Sequence, residues 1–240
     1  VRVMTGAVLP RGADTVVMQE AARVEGGRVI LPAARKPGQN VRRAGEDLAA
    51  GRPALLAGQR IGPAELGLLA SLGLAEVAVH RRPLVAFFST GDELASIGRA
   101  LGPGEVYDSN RYTLYGVLKQ LGVEVLDLGV VRDDPAALEQ AFTEAAAQAD
   151  AILTTGGVSV GEADYVREIM GRLGEVHFWR IDIKPGRPMA FGRLGKAWLF
   201  GLPGNPVAVL VSFCQIVQDA LHRLQGLDPL PIRPSFQVRC

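Results

Sequence analysis

DAILTTGGVSVGEADY, residues 150–165, is the segment on which the fold turns. Its apolar run Ala151-Ile152-Leu153 is too short for a helix and is bounded by polar residues and Gly. That is the pattern of a strand buried on both faces in a parallel sheet. Gly156 and Gly157 break the run, and Val158-Ser159-Val160-Gly161 leads into an acidic stretch. Beyond it Val166, Ile169, Met170 and Leu173 fall at i, i+3, i+4 and i+7, one face of a helix. The segment therefore predicts a strand, a glycine-rich loop and a helix. In an open α/β sheet that junction lies at the carboxyl end of a strand, where ligands bind. Glycines let the backbone approach a ligand there, and N–H groups at a helix start attract anions. Asp164 beside such a backbone suggests a metal shared between a carboxylate and a phosphate. Taken alone, the segment also reads as an ordinary turn capped by Asp164.

Working outward, the same alternation recurs from Leu84. Residues 84–88 read as a buried strand ending in Ser89-Thr90-Gly91-Asp92-Glu93. A helix over 110–122 places Leu114, Val117, Leu118 and Leu121 on one face, and a strand over 123–131 ends in Arg132-Asp133-Asp134. Asp134 suits an N-cap and Pro135 a first helical residue, before a stripe of Leu138, Phe142, Ala145 and Ala149. Residues 176–179, 188–191 and 197–200 read as strands. Asn205 then caps an apolar helix over 207–224, whose Ser212, Gln215, Gln218 and Asp219 assign it to a core or an interface rather than a bilayer. The fold class predicted is α/β, with a doubly wound, mostly parallel sheet.

Four of these strands end in STGDE (89–93), RDD (132–134), TTGGVSVGEAD (154–164) and GLPGNP (201–206). In a parallel sheet their carboxyl ends lie on one edge. Three of the loops supply acids: Glu93, Asp133 and Asp164. Arg180, Asp182 and Lys184 read as alternating along a strand, which puts Arg180 and Lys184 on a shared face, with Arg187 following. Acids, a hydroxyl-lined glycine loop and cations are the inventory for a Mg²⁺-held phosphate ester or oxyanion. The expectation is that they surround one bound oxyanion.

Residues 1–82 are expected to form a smaller β-rich and linker region, 83–228 the α/β domain, and 229–240 the start of a further β domain. In the first region, residues 15–18 and 28–31 are short β-type runs, with Glu25-Gly26-Gly27 as the hairpin turn between them. Met4-Thr5-Gly6 and residues 39–47 are polar clusters, the second of which reads from spacing alone as a surface ion-pair loop. A helix over 63–72 is predicted with Leu66, Leu69 and Ala70 inward and Gly73 as its C-cap, then a linker at Arg81-Arg82-Pro83. The chain opens at Val1 and closes on FQVRC, the texture of a fragment.

A balance of 26 Lys plus Arg against 25 Asp plus Glu gives no argument for nucleic acid. No uninterrupted apolar run reaches the ~18 residues of a membrane span, and no secretory leader is recognised. Cys214 and Cys240 make neither a disulfide framework nor a metal site, which predicts reducing cytoplasm. His80, His177 and His222 have no ligand spacing and read as structural or surface residues.

FSTGDEL (88–94), YDSN (107–110), VRDDP (131–135), TTGGVSVGEADY (154–165), IKPGRP (183–188) and GLPGNPV (201–207), in this order and spacing, resemble the MoeA-type molybdopterin molybdenumtransferases, whose animal relative is the E domain of gephyrin. MTGAVLPRGADTVVMQE (4–20) and GQNVRRAGED (38–47) resemble that family's smaller β-rich region. The resemblance covers essentially the whole chain. It implies an enzyme that inserts molybdate into adenylylated molybdopterin and cleaves the adenylyl phosphoanhydride, releasing AMP, with a divalent cation such as Mg²⁺. It further implies metal and reaction-centre roles for Glu93, Asp133 and Asp164, and anion binding by Arg180 and Lys184. Ser89, Thr90, Gly91, Thr155, Gly156, Gly157, Ser159 and Gly161 would cradle the pterin phosphate beside a wall stiffened by Pro203 and Pro206. Thr5 and Asp47 would act across a homodimer interface, and a MogA-like adenylyltransferase would be the pathway partner. An acidic residue of the family's further upstream segment has no counterpart here. The alternatives are a MogA-like adenylyltransferase using ATP, and a non-catalytic gephyrin-like scaffold.

Overall fold

Strand and helix alternate from Leu84 onward in the computed structural model, which describes residues 1–31, 36–157 and 165–237. The chain divides into two units, Val1–Leu56 and Ala57–Cys240. The smaller holds one hairpin, β1 (Arg23–Glu25) and β2 (Arg28–Ile30), turned by Gly26 and Gly27 at positive φ. The turn is where the sequence puts it, but its first strand is Arg23–Glu25 rather than residues 15–18. That run instead ties to a loop: Val16 N–H donates to the Gln39 carbonyl (3.0 Å), and the Asn40 amide donates to the Val16 carbonyl (2.9 Å).

The larger unit opens with α1 (Pro63–Ser71), closed by a Schellman pair in which Leu74 N–H donates to Leu69 O and Gly73 N–H to Ala70 O. Leu69 is buried, whereas Leu66 and Ala70 are exposed, a correction to their expected inward placement. Then follow β3 (Leu84–Thr90), β4 (Leu94–Ala95), β5 (Val106–Tyr107), α2 (Ser109–Leu121), β6 (Glu124–Val131), α3 (Pro135–Gln148), β7 (Ala151–Thr155), α4 (Tyr165–Leu173), β8 (Glu175–Arg180), β9 (Pro188–Leu194), β10 (Ala197–Leu202) and α5 (Pro206–Leu224), the last with a π-helical turn at Phe213–Val217. Asp108, Asp134 and Asn205 accept backbone N–H groups at the starts of α2, α3 and α5, so three helix starts are fixed by short polar side chains.

Six strands form one sheet in the order β6-β3-β7-β10-β9-β8. The first four are parallel, β9 runs antiparallel to β10, and β8 runs antiparallel to β9. β8 therefore points the same way as the parallel strands. The side-chain period of two sorts the core: Ala86, Phe88, Ile152 and Leu199 face α3 and α4, while Val85, Phe87, Leu153 and Phe200 face α2 and α5. Helices on both faces make the sheet doubly wound. Phe88 and Phe142 meet edge to face at 5.1 Å. Among the described residues Pro206–Leu224 alone is long and apolar enough to cross a membrane, yet its Val209, Phe213, Val217 and Leu221 are buried against the sheet. Arg81 in the predicted linker forks onto Asp150 at 2.6 and 2.7 Å, which anchors the chain where it enters β3.

Candidate active site

The parallel run places the ends of β3, β6, β7 and β10 on one edge, and the direction of β8 adds Arg180 to it. At the end of β3, Ser89 and Thr90 are buried, Gly91 adopts φ +151°, and Asp92 and Glu93 are exposed. A methyl at Gly91 would stand 2.6 Å from the Glu93 carboxylate, which folds back over the turn. Beside it, at the end of β6, Asp133 N–H donates to the Asp92 carboxylate (3.3 Å). Burial, and then the charges of Asp92 and Glu93, push the Asp133 carboxyl above the usual carboxylate range. The Thr90 hydroxyl acts in the opposite sense, although its buried Oγ1 makes no hydrogen bond of full geometry among the described residues.

The floor between β3 and β7 is polar and closed. Thr155 Oγ1 lies 2.9 Å from Ser89 Oγ, which lies 3.0 Å from Asp108 Oδ1. An ionised carboxylate only accepts, so Ser89 donates to Asp108 and Thr155 donates to Ser89. Both hydroxyl protons are committed inward, and neither is left for a phosphate. Gly156 and Gly157 follow at φ +85° and +66°. A methyl at Gly156 would overlap the Thr90 carbonyl oxygen, and one at Gly157 would meet Val166 Cγ2 at 2.5 Å, so both glycines are needed for close approach. Pro203 is buried and Pro206 is the exposed first residue of α5. Asn110 spans from α2 to the loop after β10 through its amide on Gly204 O (2.7 Å).

Arg180 and Lys184 are exposed, but they do not share a strand face as expected. β8 ends at Arg180, and Ile181 N–H closes on Arg187 O (3.1 Å) around a turn holding Pro185 and Gly186. Proline has no N–H for a ladder and Gly186 sits at φ +113°, so the extended run stops. Gly186 packs on α5, where a methyl would meet Ser212 Oγ at 2.6 Å. Strand order also sets β3 and β8 four spacings apart, about 19 Å at ~4.8 Å each. The acids after β3 and β6 and Arg180 at the end of β8 thus occupy one edge but different ends of it. Ser159, Gly161 and Asp164 lie outside the described residues. Thr5 and Asp47 belong to the smaller unit, where both are exposed and Asp47 pairs with Arg42 at 2.6 Å.

Among the described residues no group of three His, Cys, Asp or Glu side chains is arranged to hold a metal ion. The donor chemistry of the acidic end nonetheless fits a hard cation, since Asp92 and Glu93 raise the cost of charging Asp133 and all three supply only oxygen. Two residues carry more of this site than the sequence suggested. Asp92 supplies the charge next to Asp133. Asp108, 1% exposed, ties three elements, and its only outward signal is an acid immediately before a helix.

Two families match the sequence of this chain. Residues 86–223 match the family described as "Probable molybdopterin binding domain", and residues 1–73 match "MoeA N-terminal region (domain I and II)". The chain belongs to the MoeA-type molybdopterin-binding family. It is 49% identical over 239 residues to the molybdopterin molybdenumtransferase of Haemophilus influenzae, covering 99% of this chain and 59% of that one. It is 44% identical to that of Nostoc, covering 94% and 53%. The solved structure of a molybdopterin biosynthesis MoeA protein from Pyrococcus horikosii superposes with a TM-score of 0.71 at 35% identity, over 92% of this chain and 55% of that one. The chain thus spans between half and two thirds of the length of these MoeA-type relatives.

Proposed function

We propose that the chain carries the molybdopterin-binding part of a cytoplasmic molybdopterin molybdenumtransferase. It would place molybdate on the dithiolene of adenylylated molybdopterin and split the adenylyl phosphoanhydride to release AMP. The observation that carries this reading is that the match runs through both units, 1–73 as well as 86–223. A MogA-like adenylyltransferase has no need of the first.

Glu93 and Asp133, with Asp164, would hold Mg²⁺, which when bound neutralises charge on the phosphates being separated. Glu93 folds back over Gly91 toward the Asp133 side of the edge, and the raised Asp133 carboxyl is the group with most to gain from a nearby cation. Arg180 at the end of β8 and Lys184 in the turn after it, both exposed cations, would bind molybdate or a phosphate. The Gly156-Gly157 turn, with Ser159 and Gly161 beyond it, would let the pterin phosphate approach the backbone, next to the Thr90 and Gly91 turn and the Pro203–Pro206 wall. Ser89 and Thr155 would stiffen that cradle from below. Thr5 and Asp47 would complete the site of a second copy in a homodimer. A MogA-like adenylyltransferase would supply the substrate.

The test is to incubate the protein with adenylylated molybdopterin, Mg²⁺ and molybdate and to follow AMP. Molybdate-dependent release supports the reading. ATP-dependent adenylylation of molybdopterin, with no AMP released from the adenylylated form, would replace it with the adenylyltransferase reading.

A further inference from the structure

Between β3 and α2 the chain makes an excursion over residues 91–107 that carries Asp92 and Glu93. It is tied to itself. Val106 N–H donates to the Glu93 carbonyl (2.9 Å), and Asp108 N–H donates to the Ala95 carbonyl (3.1 Å). Within it Arg99 forks onto Glu105 at 2.6 and 2.8 Å, Gly102 N–H donates to Glu105 (2.6 Å), and Tyr107 Oη donates to the Arg99 carbonyl (2.6 Å). The Arg99 guanidinium holds the Glu105 carboxyl at about 2. These bonds tie the Glu93 backbone to the return end of the excursion, so where that end is fastened bears on the position of Glu93. That fastening is Asp108. Its Oδ1 accepts from Ser89 Oγ at the end of β3 (3.0 Å) and from Arg111 N–H in the first turn of α2 (3.1 Å), and Ser89 in turn accepts from Thr155 at the end of β7. Asp108 is 1% exposed, and its Oδ2 has no hydrogen-bond partner among the described residues. A buried carboxylate with a bare oxygen is a poor choice for a helix cap alone, since unpaired burial costs free energy.

We propose that Asp108 is a positioning residue that clamps the 91–107 strap to the β3–β7 floor and so holds Glu93 at the edge of the sheet. This rests on the reading of Glu93 as an active-site carboxylate.

Ser89→Ala cuts the clamp but leaves the α2 cap intact, Asp108→Ala cuts both, and Asp108→Asn keeps the Oδ1 acceptor. Amide hydrogen exchange is measured on all three in the absence of substrate. Ser89→Ala and Asp108→Ala are expected to speed exchange at Val106 about tenfold or more, the scale of one lost hydrogen bond to a charged group. Leu153 in β7 should change less, and Asp108→Asn should restore protection at Val106. In the AMP-release assay the same two variants should lower kcat with little change in KM. Equal acceleration at Val106 and Leu153 would mean general destabilisation and would overturn the clamp. So would unchanged exchange at Val106 in Ser89→Ala. Since exchange is read without catalysis, a chain that releases no AMP would sink the enzymatic reading and leave the clamp standing.

Discussion

Gly156→Ala tests the floor of the site most directly. Two costs can be separated from the structure. The residue sits at φ +85°, where an L side chain costs roughly 1–2 kcal/mol. The added methyl would also overlap the Thr90 carbonyl oxygen and touch Thr90 Cγ2 at 3.6 Å. That contact is with backbone of the neighbouring strand, which cannot rotate away, so overpacking adds about 1–3 kcal/mol. Gly195, in the β9–β10 turn, is the control: its φ is +57° and among the described residues nothing lies within 4 Å of a methyl there. Urea unfolding followed by tryptophan fluorescence suits the comparison, because Trp179 and Trp198 both fall in the larger unit. Gly195→Ala should lose only the backbone share, and Gly156→Ala about 1–3 kcal/mol more, with the denaturant slope m unchanged in both. If Gly156→Ala were no less stable than Gly195→Ala, the β3–β7 contact would not be the reason glycine stands there.

Three further perturbations follow from the charges. Asp133 is pushed up by burial and by Asp92 and Glu93, so its contribution to stability is full below the unfolded carboxyl value and fades as pH rises through the raised folded one. Asp133→Asn should therefore be slightly more stable than the parent at pH 7, by under about 1 kcal/mol for a partly solvated group, and should lose that advantage in acid or when Mg²⁺ is added; calorimetry at two pH values checks it. Asp150 is the opposite case, held low chiefly by Arg81 and also by Leu84 N–H, so its contribution is present above the unfolded value and is lost as pH falls through the folded one. Asp150→Asn should cost about 1–2 kcal/mol at pH 7 and flatten the acid limb of the stability curve. Lys184 is exposed with no ion-pair partner among the described residues, so Lys184→Ala should leave the melting temperature unchanged and raise KM for the adenylylated substrate about tenfold, the loss of one charge-assisted contact; steady-state kinetics decides.

The sheet was legible because its signals are local. Alternating apolar runs, Asp134-Pro135 and Asn205-Pro206 at helix starts, and Gly122 at a helix end each state a boundary within a few residues. What failed depended on distant partners. Residues 15–18 have the β-branched texture of a strand, but their hydrogen bonds go to Gln39 and Asn40. Leu66 has helical spacing from Leu69, yet which face of a nine-residue helix is covered is settled only by what packs there. The burial of Asp108 is likewise invisible in YDSN. Strand order is the largest omission. β8 follows β7 and α4 in the chain, yet it joins the sheet at the far edge beyond β9, which sets Arg180 four strand spacings from the end of β3.

That separation has an energetic signature. If Asp133 and Lys184 contacted one oxyanion, removing either would change what the other gains, and the pair would couple. The strands they follow, β6 and β8, lie five spacings or about 24 Å apart, so in the proposed reading they would touch different parts of one extended substrate, and side chains more than about 7–10 Å apart contribute independently. Adenylylated molybdopterin, with a pterin at one end and a nucleoside at the other, has the length to reach both. A double-mutant cycle on substrate binding, with Asp133→Asn, Lys184→Ala and both together, should close to within about 0.5 kcal/mol. AMP alone should feel one of the two substitutions and be blind to the other. A coupling energy above about 1 kcal/mol would mean that the Lys184 turn, already drawn toward α5 by Gly186 against Ser212, reaches back to the acidic end and closes on the same group.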